Sequence, residues 1–318
     1  MPVPEITESF TGSVNRVTLG ATKEDGGTRT STITIGGARN VVYGGSVEDA
    51  SEKPVIAMDV LDSKPDDWPD ALVEPYKNVL DSPGNWAKKC IEEFGADLIC
   101  LKFEGIHPDK SDKDADHAVK VTEEVLKAVG VPLILWGCGN DEKDNQVMPK
   151  VSGAAKGEKC LIGTITEDNY KSLTAIALAD GHFLITEAPI DINIAKQVNI
   201  LASDMGFPLE RIVTFQSTGA LGYGIEYAYS IQERQRLAAL TGDKMMAMPA
   251  ICDVGYESWR AKEAKLTDAP AGWGNAADRG PMWEATTAVC LLQAGVDIIR
   301  MRHPRAVTTV KNFINQIW

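Results

Sequence analysis

Ile212-Val213-Thr214-Phe215, then Gln216-Ser217-Thr218, then Gly219-Ala220-Leu221-Gly222-Tyr223-Gly224, then Ile225-Glu226-Tyr227-Ala228-Tyr229 is the stretch whose reading decides the fold. The short β-rich apolar run predicts a strand. Its three glycines predict a loop with unusual backbone angles or close approaches, and the residues that follow lack helix breakers for about four turns. Strand, loop and helix form one unit of an alternating plan.

The same rhythm runs outward in both directions. Upstream, strands are expected at Val55–Val60, Ala96–Phe103, Pro132–Trp136, Cys160–Thr164 and Phe183–Thr186. Helices alternate with them around Asn85–Phe94, along the face Ala118, Val121, Val125, Ala128 and Val129, at Asn169–Leu178, and at Ile190–Met205. Downstream come strands at Met245–Ile251 and Asp297–Arg302 and a closing helix that aligns Val307, Val310, Ile314 and Ile317. Units of this kind need crossover connections and a parallel sheet covered by helices, and eight of them predict an α/β chain with a (β/α)8 TIM barrel; a doubly wound sheet is the competing arrangement.

Residues 1–50 are read as an N-terminal extension with a hairpin, in which Ser31–Gly37 pairs with Asn40–Tyr43. Residues 51–318 form the barrel domain, with an insertion near 253–283. An insertion of that length is often functional.

The chain has 318 residues, 44% of them hydrophobic, enough for a full core. Its formal net charge of -13 disfavours long-range attraction to nucleic acid or anionic lipid. The start has neither a basic nor an apolar leader region, and no apolar run approaches the roughly 20 residues of a bilayer span. A soluble cytoplasmic protein is expected. Cys90, Cys100, Cys138, Cys160, Cys252 and Cys290 lie far apart with no Cys-x-x-Cys pair, which argues against a zinc site or cluster built by this chain and for buried thiols.

In such a barrel the chemistry belongs at the C-terminal ends of the strands. The tip residues are Asp59; Lys102 and Glu104; Cys138 and Asn140; Thr164 and Thr166; Glu187, Asp191 and Asn193; Gln216, Ser217 and Thr218; Asp253; and Arg302 with His303. The set reads as mostly uncharged, suited to hydrogen bonding more than to acid–base work. Lys102 could form a Schiff base as in aldolase-like barrels, but a salt bridge to Glu104 or another carboxylate is the simpler account. Asp180-x-His182 echoes a lower-cobalt-ligand motif, yet Ile185 stands where that motif has Gly and His182 starts a strand, which gives it a structural role. Asp112, Asp114, Asp116 and Glu123 mimic a calcium loop, but His117 occupies the position of its obligatory Gly. The run Gly219, Gly222, Gly224 could cradle a phosphate, although its spacing matches no common fingerprint.

Taken together, Ile33–Gly37, Ala96–Lys102, Leu135–Asn140, Thr186–Asn193 and the opening loop resemble the small subunits of corrinoid iron–sulfur proteins of the acetyl-CoA pathway, barrels related to pterin-binding methyltransferases. The resemblance spans essentially the whole chain. It implies a heterodimer with a large subunit carrying a [4Fe-4S] cluster and most of a cobalamin-type corrinoid site, with methyltetrahydrofolate methyltransferase and acetyl-CoA synthase / CO dehydrogenase as further partners. The resemblance also implies that this chain contributes no catalytic residue and no metal ligand. The mouth residues that would then face the corrinoid are Asp59, Cys138, Asn140, Thr164, Glu187, Asp191, Asn193, Gln216, Ser217, Thr218, Gly219, Gly222, Tyr223, Gly224, Arg302 and His303. Two rival activities stay open: a pterin-binding methyltransferase using Asp59, Asn140 and Asp191, and a Schiff-base aldolase using Lys102.

Overall fold

The computed structural model describes residues 10–42, 51–218 and 224–318. It begins with β1 (Arg16–Leu19) and β2 (Ile33–Gly36). The alternating part follows as β3 (Val55–Leu61), α1 (Asp70–Val73), α2 (Pro83–Glu92), β4 (Leu98–Lys102), α3 (Ala115–Ala128), β5 (Leu133–Trp136), α4 (Asp141–Ala154), β6 (Leu161–Ile165), α5 (Tyr170–Asp180), β7 (Phe183–Glu187), α6 (Ile192–Asp204), β8 (Ile212–Phe215) and α7 (Ile225–Leu240). It ends with β9 (Ala250–Cys252), α8 (Val254–Arg260), α9 (Lys262–Lys265), α10 (Ala276–Gln293), β10 (Ile298–Met301) and α11 (Pro304–Ile317).

Strands β3 to β10 pair in sequence order, and β10 closes back on β3, all in parallel, which makes the expected (β/α)8 barrel. The period of two along each strand separates two cores. Ile56, Met58, Ile99, Leu101, Leu133 and Leu135 point outward under the helices. Ala57, Leu98, Cys100, Ile134, Leu161, Ile185, Val213 and Ile298 fill the barrel. The seventh strand is shorter than the run Met245–Ile251 suggests, because Lys244–Met246 takes a 3-10 turn capped by the Asp243 carboxylate. Residues 253–283, read as an insertion, hold α8, α9 and the start of α10.

The N-terminal hairpin corrects one expectation. Strand β2 pairs antiparallel with Arg16–Leu19, in the register Val17↔Ile35 and Leu19↔Ile33, and not with 40–43. Residues 40–42 are not strand, and Tyr43 lies outside the described residues. Beyond β2 the chain keeps running beside residues 14–15, through the bonds Gly37 N to Asn15 O at 3.3 Å and Val14 N to Ala38 O at 2.8 Å, so no tight return forms. Val17, Leu19 and Ile35 are wholly buried with the barrel-filling residues, so the hairpin plugs the end opposite the functional mouth. Each such side chain contributes about 1.5–3 kcal/mol of burial.

Arg29 fastens this plug. Its Nε donates to Glu158 Oε2 at 2.8 Å, while Nη1 donates to the Val129 carbonyl at 2.6 Å and Nη2 to the Leu126 carbonyl at 2.8 Å, at the C-terminal end of α3. A lysine supplies one compact point charge and cannot span these acceptors. Arg29→Lys is therefore expected to lose about 2 kcal/mol of unfolding free energy in urea titration. An unchanged midpoint would show that the fork is dispensable.

His182 behaves as a structural residue: it is fully buried ahead of β7, its Nδ1 accepts from Cys160 N at 3.2 Å, and its Nε2 lies 3.0 Å from the Ser152 carbonyl. The calcium-like acids are spent elsewhere. Asp112 and Asp116 pair with Lys143 and Lys150 at 2.5 and 3.0 Å, and Asp114 caps α3. Among the described residues no helix is long and apolar enough to cross a membrane.

Candidate functional site

The mouth is organised by a buried charge cluster between neighbouring strands. Asp59 on β3 is fully buried, its Oδ1 accepting from Arg300 Nε and its Oδ2 from Arg302 Nε, each at 3.0 Å. Burial alone would raise its pKa, but the two guanidinium groups outweigh it and hold the carboxyl below its ordinary 3.8. Arg300 lies 4.0 Å over the centre of the Trp136 ring, which Phe215 meets edge-on at 4.9 Å. Arg302 lies near the rings of Trp68 and Tyr256 at 5.1 and 5.2 Å and reaches Glu104 at 3.5 Å. Glu104 in turn binds Lys110 at 3.1 Å.

Above this cluster opens a cavity of about 500 Å³, lined by Lys102, Trp136, Cys138, Thr164, Glu187, Phe215, Asp253, Tyr256 and Arg300, with Asp67, Glu104, His107, Asp109, Lys110 and Gly139 around them. Thr164 donates its hydroxyl to Glu187 Oε2. Burial raises the pKa of Glu187, and it pushes Asp253 up from 3.8 to about 6. Asp253 Oδ1 has no hydrogen-bond partner among the described residues. Lys102 donates to the Gly137 carbonyl at 2.6 Å, and Glu104 takes Arg302 and Lys110 instead, so the expected Lys102–Glu104 bridge is replaced. A carbonyl one strand away is within reach of an ammonium that points into the barrel.

The glycine-rich tip after β5 is shaped by Asp144, whose carboxylate accepts from Cys138 N at 2.8 Å and Gly139 N at 3.0 Å. A Cβ on Gly137 would come within 2.4 Å of that carboxylate, and Gly139 has φ of +89°, so both positions call for glycine. Cys138 is half-buried here, and burial and the Asp144 charge push its thiol up to about 12, which removes thiolate reactivity.

The structure sorts the sequence candidates. Cys138, Thr164 and Glu187 line the cavity. Asn140 and Asp191 are half-buried N-caps of α4 and α6, accepting from Lys143 N at 3.0 Å and Asn193 N at 2.8 Å, while Asn193 is exposed beside them. Asp59, Gln216, Thr218, Arg302 and His303 are buried within or behind the mouth. Gln216 donates to Gln235 at 2.6 Å, and Thr218 Oγ1 accepts from Asp253 N at 3.1 Å. His303 caps α11 through Nδ1, and burial lowers its pKa to about 4. Ser217 is half-buried with φ of +46°, Gly224 caps α7, and Gly219, Gly222 and Tyr223 lie outside the described residues.

The mouth differs from the expected uncharged ring, because Lys102, Arg300, Glu187 and Asp253 share its floor. Arg300 was hidden inside a strand. Its signal is parity: in Ile298-Ile299-Arg300-Met301-Arg302 both arginines fall on one face, and Asp59 is the single acid within the neighbouring apolar run Val55–Leu61. A separate apolar depression of about 790 Å³ lies against α10, with Trp273, Met282 and Trp283 substantially exposed.

A family model described as CO dehydrogenase/acetyl-CoA synthase delta subunit matches residues 16–269. The acetyl-CoA decarbonylase/synthase complex subunit delta of Archaeoglobus fulgidus is 39% identical over 316 residues, which cover 98% of this chain and 70% of that protein. The counterpart in Methanothermobacter thermautotrophicus is 36% identical over 304 residues, 95% of this chain and 75% of that one. Among solved structures, dihydropteroate synthase of Stenotrophomonas maltophilia aligns with a TM-score of 0.58 at 15% identity, over 83% of this chain and 93% of that one. The Coxiella burnetii enzyme aligns at 0.58 and 12%, over 95% and 98%. At such identities the likeness is one of fold.

Proposed function

Because this chain belongs to the family of CO dehydrogenase/acetyl-CoA synthase delta subunits, we propose that it is the small subunit of a corrinoid iron–sulfur methyl carrier, shielding a corrinoid held mainly by a large subunit. In this reading it presents a docking surface to a methyltetrahydrofolate:corrinoid methyltransferase and to acetyl-CoA synthase / CO dehydrogenase in the cytoplasm, and has no catalytic residue of its own. The observation that carries the reading is that three of the groups that could start chemistry are already engaged. Asp59 is clamped by two arginines, Lys102 is tied to the Gly137 carbonyl, and His303 is a helix cap.

The residues suit a corrinoid that lies across the mouth. A cavity of about 500 Å³ cannot engulf a corrin with its side arms, whereas exposed Asn193 and half-buried Asn140 lie beyond the C-terminal ends of β7 and β5, on the side where amide fringes would come. When bound, the corrinoid supplies the cobalt centre that takes and gives the methyl group. This chain excludes water from that face and orients the ring. Among the described residues no group of three His, Cys, Asp or Glu is placed to hold a metal ion; in this reading the iron–sulfur cluster belongs to the partner.

Purification tests the proposal. A red corrinoid and stoichiometric iron are expected with the two-subunit complex and are expected to be lost from this chain when it is isolated. Retention of both by the isolated chain, or methyl transfer by the large subunit alone as fast as by the complex, would overturn it.

A further inference from the structure

We propose that the apolar depression on α10 is the surface on which a long-lived partner subunit docks, through a segment that carries apolar side chains flanked by Lys or Arg. The inference rests on the reading of this chain as one subunit of a carrier complex, and it names the surface that joins it.

The depression, about 790 Å³, is built by the connections that leave β8 and β9: Ile225 starts α7, Trp273 lies on the turn before α10, and Met282 and Trp283 lie on α10 itself. Trp273, Met282 and Trp283 are 42%, 61% and 40% exposed. They are three of the seven large apolar side chains left exposed among the described residues, and they share one lining. Interface cores are enriched in aromatic and methionine side chains, and a gathered apolar patch marks a contact surface.

The walls are held in place. Arg279 donates Nε to the Glu263 carbonyl, Nη1 to the Gly274 carbonyl at 3.3 Å and Nη2 to the Leu266 carbonyl, which ties α9 and the following turn to α10. Behind them a Cβ on Gly280 would come within 2.4 Å of the Trp259 ring, so glycine lets α10 lie on α8, and Trp259 Nε1 donates to Glu284 at 2.6 Å. A preformed surface loses little conformational entropy when a partner arrives. The same pair of helices joins the depression to the mouth, because Tyr256 on α8 lines the mouth cavity while Met282 and Trp283 on α10 line the depression.

Charge selects the occupant. The lining holds two acids, Glu263 and Asp278, against Arg279, and the whole chain carries a formal charge of -13. Asp278 is paired with Arg305 at 2.5 Å, whereas the Glu263 carboxylate has no ion pair among the described residues. A second copy of this chain would bring the same acidic charge and be repelled, and a basic-flanked segment is drawn in. The apolar lining favours a permanent subunit over an enzyme that docks and leaves, because obligate interfaces are the more apolar ones.

A photo-crosslinking residue, p-benzoylphenylalanine, placed at Met282 in the two-subunit complex tests the surface. The cross-link is expected on the large subunit, in a peptide that sets apolar residues beside Lys or Arg. Trp283→Ala is expected to raise the dissociation constant of the complex by about tenfold or more. Glu263→Lys is expected to weaken it severalfold and to lessen its salt dependence. Met282→Glu serves as a further variant should Trp283→Ala not fold. No cross-link to the large subunit, a cross-link to a second copy of this chain or to an acidic peptide, or wild-type affinity in every folded variant would overturn the proposal. Corrinoid and iron are assayed in the same preparation. A cross-linked complex without corrinoid would sink the carrier reading alone, and a red complex without the cross-link would sink the docking surface alone.

Discussion

Replacing Asp59 with Ala is expected to cost about 4 kcal/mol of unfolding free energy, because breaking a buried ion pair strands its uncompensated partner. Here one carboxylate serves two guanidinium groups, at 3.0 Å each, and Arg300 and Arg302 are 2% and 4% exposed. Arg302 sits where the end of β10 is pinned, since its carbonyl accepts from Tyr76 and its amide donates to Glu284 Oε1 at 2.5 Å. A triple replacement, Asp59→Ala with Arg300→Met and Arg302→Leu, removes the charges together and is expected to recover much of the loss. Urea denaturation followed by tryptophan fluorescence measures both. A single variant within 1 kcal/mol of wild type would show that solvent or Glu104 takes over the role of Asp59.

Glu284 sets the second large effect, which depends on pH. It is fully buried on α10 and accepts from Trp259 Nε1 at 2.6 Å, from Arg302 N at 2.5 Å and from His303 N at 3.1 Å. Burial outweighs these bonds and raises its pKa from 4.5 to about 7. The native state therefore holds this proton where the unfolded chain has released it. The stability it contributes is complete below about pH 4.5 and is lost as pH rises through about 7. The displacement is worth about 3 kcal/mol. His303 slopes the other way, because its buried ring titrates near 4 instead of 6.5, so its contribution is lost as pH falls through that window.

The comparison with Glu284→Gln isolates the carboxyl, because His303 is common to both proteins. Between pH 4.5 and 8 the stability of wild type relative to Glu284→Gln is expected to fall by about 3 kcal/mol, read from urea midpoints at a series of pH values. A difference independent of pH would mean that Glu284 is ionised throughout the range.

Both effects concern residues that hold the mouth's shape, and both were only partly legible beforehand. Arg302 and His303 lie just past the end of β10 as expected, whereas Asp59 lies inside β3, and the contacts the structure shows for the three are clamping and capping. No local pattern in the sequence singles out Glu284. It sits in α10, a helix with Pro281 inside it, and its partners on α8 and beyond β10 are distant in the chain.

The sequence by itself determined the barrel, because eight apolar runs alternating with helical faces leave a parallel, helix-covered sheet as the way to bury both, and strand parity then sends alternate residues inward. It also placed His182 at the structural end and denied the Asp112 loop its calcium geometry, since each rests on local spacing. Only the tertiary structure decided which strand partners β2, which carboxylate meets which cation, and which acceptor is left open at the mouth. Those outcomes depend on distances between residues as far apart as Asp59 and Arg302, and on the burial that makes an unpaired charge costly, neither of which a local pattern records.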